Sequence, residues 1–89
     1  MIEHRLKCWP GHFEPLLVGA KRWEIRKNDR GFNVGDVLIL SEFQRDGIDE
    51  SGHTTGFFTG RSVRRKVTWV WDVGDLFPGF VVLDIEREA

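Results

Sequence analysis

"WPGHFEPLLVGAKRWEIRK" (residues 9–27) changes its period part-way along. In the first half Phe13, Leu16 and Leu17 recur at i, i+3 and i+4, the spacing that gathers apolar side chains on one face of a helix. Gly19 then stands where such a helix stops, because glycine enters the left-handed conformation of a C-terminal cap without a steric penalty. In the second half the period falls to two. Trp23 and Ile25 share one side and Arg22, Glu24 and Arg26 the other, so a strand follows the helix. Pro15 belongs in a first turn, which predicts that regular helix begins near His12 rather than at Pro10. The alternation predicts that Trp23 and Ile25 enter the core.

Outward from this stretch the chain reads as strands. "IEHRLK" (residues 2–7) alternates Ile2, His4 and Leu6 with Glu3, Arg5 and Lys7. "FNVGD" (32–36) is a turn at Gly35, and "VLILSEF" (37–43) is a nearly continuous apolar run, as in a strand covered on both faces. "QRDGIDESGHTTG" (44–56) has no apolar period and predicts a mobile hairpin loop. In "FFTGRSVRRKVTWVWDV" (57–73) Val63, Val67, Trp69 and Trp71 alternate with Arg64, Lys66 and Thr68 in one long strand, with a bend near Gly60. After the turn "GDLFPG" (74–79), "FVVLDIE" (80–86) places Val81, Leu83 and Ile85 together. The order β-α-β-β-β-β predicts an α+β, mostly β, fold: a small five-stranded, strongly curved sheet or partly open barrel with one short helix after the first strand.

Eighty-nine residues suit one domain, residues 1–89, whose core draws on four Trp and seven Phe. The net charge of −1 conceals a split. Residues 1–30 carry seven basic and four acidic side chains, residues 31–60 one and five, and residues 61–89 five of each. This argues against strong non-specific binding to duplex DNA, which needs many phosphate contacts, and leaves a local basic surface for a short single strand or one nucleotide. One cysteine, Cys8, excludes an internal disulfide and fits a reducing compartment. With no secretory signal and no membrane-length apolar run, the expected location is the cytoplasm, with no membrane partner.

Several clusters invite chemical readings. His4, Cys8 and His12 have helical spacing, but Trp9-Pro10-Gly11 interrupts them, so no metal is expected and Cys8 reads as a buried small hydrophobe. Asp46, Asp49 and Glu50 do not match a calcium loop and read as a solvated acidic segment. "RSVRRK" (61–66) is either a phosphate-binding stripe or the wet face of an edge strand. Glu24 and Arg26, two residues apart, form either a plain surface ion pair or, with Lys21, the wall of a cleft. In a cleft the two cations donate and the carboxylate accepts, which suits a planar polar ligand.

Gly19, Lys21, Glu24 and Arg26 spell G-x-K-x-x-E-x-R, which resembles the signature of ASCH domains in the PUA-like superfamily. The wider string from His4 to Leu40, with "E-I-R-K-N-D-R-x-F", "V-G-D" and the later "F-P-G-F-V-V-L", resembles the DUF3850 family. The resemblance implies a PUA-like five-stranded mixed pseudobarrel. It also implies a nucleic-acid or nucleotide-binding module whose cleft recognises a base in single-stranded RNA or a modified nucleoside. Lys21 and Arg26 would contact phosphate or carbonyl oxygens and Glu24 would accept from a base amino group. Lys7, Arg30 and the 61–66 stripe, Arg64 included, would extend the electrostatic track, with Trp9 as a stacking face. Some ASCH proteins are amidohydrolases of acylated cytidine-type nucleosides that use a lysine, a threonine and a later acid. Here Glu24 stands in the threonine position, and only Asp72 and Asp75 are available as the later acid. The enzymatic alternative is therefore a Lys21–Glu24 pair activating water, and a further alternative is a protein-interaction module. No cofactor is expected, and a monomer is the favoured state.

Overall fold

The computed structural model describes residues 1–88. Its elements are β1 (Glu3–Cys8), α1 (Pro10–Leu17), β2 (Trp23–Lys27), β3 (Val37–Ile48), β4 (Thr54–Asp72) and β5 (Phe80–Arg87). All five strands form one mixed sheet in the order β1-β3-β4-β5-β2. Only β1 and β3 run parallel, a pairing that needs a long crossover, and α1 with β2 lies in that crossover. The sheet is not closed, yet it curls until its two edges face each other. Arg26 on β2 donates from Nη2 to the Lys7 carbonyl on β1 at 3.0 Å, and Arg30 from Nη1 to the Arg5 carbonyl at 3.5 Å. Guanidinium groups thus satisfy edge carbonyls that have no ladder partner.

The core lies inside the curl. Phe13 and Leu16 from α1 pack with Leu6, Leu38, Leu40, Val67 and Leu83. β3 is covered on both sides, as its apolar run predicts, because Val37 to Leu40 are all buried. The outer cover is not a second layer. Val37 is flanked in register by Glu3 and Lys66, and Ile39 by Arg5 and Arg64, so stems of long charged side chains lie over them.

α1 begins at Pro10, earlier than expected. Trp9 is extended at the N-cap, and its carbonyl accepts from His12 and Phe13 N–H. Pro10 fits there because a first-turn N–H has no intrahelical partner anyway. Pro15 falls inside the helix. The donor it lacks would have met the carbonyl of Gly11, which is exposed and can be hydrated.

Three other expectations are corrected. On β2 the alternation holds but the faces are reversed: Glu24 is 3% exposed, Trp23 48% and Ile25 41%. On β4 the register slips between Val67 and Trp69, opposite adjacent Ile85 and Asp84, so Thr68 is an extra residue. Beyond it the faces swap, Val70 packs on the core, and Trp69 and Trp71 turn outward. Residues 44–56 are not a loop but mostly ladder: β3 runs to Ile48, β4 starts at Thr54, and Asp49 closes the turn by accepting from the Ser51 and His53 amides at 2.9 Å each. This ribbon is exposed on both faces from Gln44 onward, so no apolar period marks it.

Near the N-terminus a buried His4 Nε2 meets Asp36 Oδ2 at 2.8 Å, and that carboxylate also accepts from the Asn33 and Ile2 amides. Burial alone would raise the Asp36 pKa, but these hydrogen bonds outweigh it and hold the carboxyl below its ordinary value. No helix among the described residues is long and apolar enough to cross a membrane.

Candidate functional site

The helix stop builds the first wall of a cleft. Gly19 adopts a φ of 83°, and Lys21 N–H returns to the Pro15 carbonyl at 3.0 Å, which starts β2 close beside α1. Side chains at i and i+2 of a strand share a face, so Glu24 and Arg26 both turn into the curl near the open seam. Lys21 Nζ donates to Glu24 Oε1 at 3.0 Å, and Arg26 Nε to Glu24 Oε2 at 3.0 Å. The carboxylate is almost fully buried and held by one cation on each oxygen, with side-chain exposures of 5% for Glu24, 12% for Lys21 and 24% for Arg26. Two charge-assisted hydrogen bonds offset the cost of desolvating that charge.

Hydrogen-bonding capacity is left over. A carboxylate offers about four acceptor positions, and two are engaged; an ammonium has three donors, and one is engaged. Arg26 engages Nε and Nη2, which leaves Nη1. These groups line a cavity of about 180 Å³ together with Lys7, Cys8, Trp9, His12 and Ile25. Pockets for whole small ligands run to roughly 300–1,000 Å³, so this one suits a single ring system.

Cys8 faces the same cavity, but its thiol is pushed up to about 11, by burial first and the Glu24 charge second, against the pull of Arg26 and Lys21. It is protonated at neutral pH and no nucleophile. Among the described residues no three His, Cys, Asp or Glu side chains gather as a metal site, and His4 is engaged with Asp36 instead of Cys8.

The other residues singled out from sequence scatter. Trp9 lines the cavity, though the Arg45 guanidinium already sits 4.5 Å over its ring. Lys7 contributes its carbonyl to Arg26, while its ammonium lies over Phe43 at 4.4 Å. Arg30 is next along the seam, lining a neighbouring hollow with Arg26. Arg64 is not brought to the cleft, because it pairs with Glu3 and Glu88 at 3.0 and 3.1 Å. Nor is the 61–66 stripe an edge, since β4 is the central strand. Arg61 is held by Glu42, which accepts at 2.9 and 2.8 Å, and by Glu14. Asp72 and Asp75 are absent from the cavity lining, and Asp72 caps the Gly74 amide at 2.8 Å.

Sequence reasoning missed His12 and Ile25 in the lining, and also that Arg65 of the 61–66 stripe turns inward. The last was detectable, because Arg65 shares the inward phase of Val63 and Val67.

Residues 3–85 match DUF3850, a domain of unknown function. Over 80 residues the chain is 38% identical to the "Uncharacterized 12.9 kDa protein in GpA 3'region" of Escherichia phage P2, a match that covers 90% of this chain. The chain spans 64% of the length of that relative.

Proposed function

The chain belongs to the DUF3850 family, and on that footing we propose that it is a PUA-like, ASCH-type module whose cleft binds a nucleotide-type ligand by its base, in single-stranded RNA or as a modified nucleoside. The observation that carries this reading is the buried Glu24 carboxylate clamped at 3.0 Å by both Lys21 and Arg26, with acceptor and donor positions still open beside it. A base edge presents amino donors next to carbonyl acceptors, and that pattern complements a carboxylate flanked by cations. The cavity volume, near 180 Å³, favours one ring system over a larger ligand. The test is calorimetric titration with the four ribonucleosides, acylated nucleosides and short RNA oligomers. Binding that Lys21→Ala and Arg26→Ala abolish supports the reading; a confirmed ligand bound normally by Lys21→Ala removes the cleft from it.

The Lys21–Glu24 contact also favours a second reading, hydrolysis of an amide on an acylated nucleoside, with Glu24 taking a proton from water and Lys21 stabilising the oxyanion. The missing threonine and the absence of Asp72 from the cavity make recognition the preferred reading. If hydrolysis occurs, Glu24→Gln lowers turnover by roughly 10²–10⁴-fold with little change in binding. If the module only reads, Glu24→Gln weakens affinity or alters base preference, and no product forms.

A further inference from the structure

Lys21 lines a second hollow as well as the cleft, a basin of about 720 Å³ bounded by the end of α1, the start of β2 and the end of β5. Its basic side chains are Lys21, Arg22, Arg65 and Arg87, against Asp84 and Glu86. We propose that this basin binds a phosphate ester, the phosphate of a nucleotide or strand whose base occupies the cleft, with Lys21 between the two. The phosphate source rests on the reading above; the anion site rests on its own geometry.

That geometry is an excess of positive charge that the protein itself leaves unmatched. Arg65 is only 8% exposed, yet its guanidinium meets carbonyls alone, Arg64 O at 2.8 Å and Leu16 O at 2.6 Å. Arg87 is its direct cross-strand partner and donates to Leu17 O at 3.3 Å. Like charges facing each other across a ladder are destabilising, so this pair costs the fold something. Capping the C-terminal carbonyls of α1 gives each of the two guanidinium groups a partner, but it supplies no counter-charge and leaves Arg22 beside them without a role. Among the described residues none of these three arginines pairs with a carboxylate, whereas Arg26, Arg61 and Arg64 all do. Asp84 and Glu86 lower the excess without removing it. Among the described residues neither forms an ion pair with these arginines, Asp84 accepting instead from Trp71 Nε1 at 3.0 Å. Burial first, and the Arg87 charge second, pull the Arg65 pKa down, the direction expected of a cation that lacks an anion.

The shapes agree with one ligand shared between the two hollows. The cleft takes about one ring system, and a nucleotide has a charged remainder that must leave it. Lys21 stands at that exit, its Nζ 4.7 Å from the centre of the Trp23 ring, which forms part of the basin wall.

The test follows the arginine side-chain and backbone amide signals of the ¹⁵N-labelled chain at constant ionic strength. Inorganic phosphate, ribonucleosides and their 5′-monophosphates are titrated in separate arms. Inorganic phosphate should give saturable shifts confined to Gly19–Trp23, Arg65 and Arg87, and some 5′-monophosphate should bind about tenfold or more tightly than its nucleoside. Arg65 is too buried for a clean substitution, so exposed Arg87 is changed. Arg87→Gln should weaken inorganic phosphate by about tenfold or more. Phosphate shifts that never saturate, or wild-type phosphate affinity in Arg87→Gln, overturn the proposal. Saturable phosphate binding with no nucleoside binding upholds the basin and defeats the cleft reading; the reverse result defeats the basin alone. A short single-stranded oligomer that binds more tightly than the mononucleotide identifies a strand as the phosphate source, and a weaker one the free nucleotide.

Discussion

Glu24 shows how far a single position can be read from its neighbours. A strand puts i and i+2 on one side, so the contact between Glu24 and Arg26, with Lys21 arriving from the helix stop, was legible from spacing. Which side faced inward was not, because Trp23 and Ile25 are the apolar pair and yet lie outside. The inner surface at the open seam is where a ligand has access, and the fold tolerates the buried carboxylate there only because two cations hold it. Removing either cation should therefore cost more than an exposed charge would. Lys21→Ala is expected to lose ligand binding and about 1–2 kcal/mol of stability, measured as a lower urea midpoint at unchanged slope. Asp36 carries the pH dependence. Its folded pKa lies below its unfolded value of about 3.9, so its contribution is complete above that value and is lost as pH falls through the lower, folded one. Glu42, lowered chiefly by its hydrogen bonds from Arg61, acts in the same direction. Urea midpoints should fall steadily below about pH 4, and less steeply in Asp36→Asn, which starts from a lower midpoint at neutral pH.

At the scale of elements, the change of period within residues 9–27 was enough to place the helix and β2, while alternation gave β1, β4 and β5 and a continuous apolar run gave β3, all in their order. What escaped were features that break or hide a period. The bulge at Thr68 is a one-residue slip inside an alternating run, so Trp69 and Trp71 were read through it onto the same side as Val63 and Val67. Threaded without a bulge, the two tryptophans would face inward and Val70 outward. Deletion of Thr68 removes the extra residue and keeps Val67 in, Trp69 out and Val70 in, against Ile85, Asp84 and Leu83. Cooperative unfolding is therefore expected to survive it, checked by near-ultraviolet dichroism across a thermal scan; its loss would show that the bulge itself is needed. The exposed β3–β4 ribbon was missed for the opposite reason, having no buried face to leave a pattern. Its pairing depends instead on Gly56, where a Cβ would stand 2.1 Å from the Gln44 carbonyl and 2.7 Å from Phe43. Gly56→Ala is expected to unpair the ribbon tip and cost about 1–3 kcal/mol, with faster hydrogen exchange at amides 44–57. A ribbon as protected in the variant as in wild type would show that the ladder does not need this close approach.

For the molecule as a whole, a net charge of −1 says little until each cation is assigned. Arg64 sits on the outer face with Glu3 and Glu88, Arg61 is held by Glu14 and Glu42, and Arg26 divides itself between Glu24 and the seam. The basic residues that stood out in the sequence are therefore mostly neutralised, and composition could not separate them from those that are not. Among the described residues, the cations of the basin that pair with no carboxylate are Arg22, Arg65 and Arg87, next to Lys21. These arginines can neutralise about three phosphates of a single strand lying there, and each such contact contributes roughly −0.7 to the slope of log K against log salt. The expected slope for a short single-stranded RNA is therefore about −2, read by fluorescence anisotropy between 50 and 300 mM sodium chloride. A base held in the cleft adds affinity that salt does not weaken, so binding should persist at the high end of that range. A slope near −5 would require many more phosphate contacts than these four side chains supply, and would move the interface to another face of the sheet.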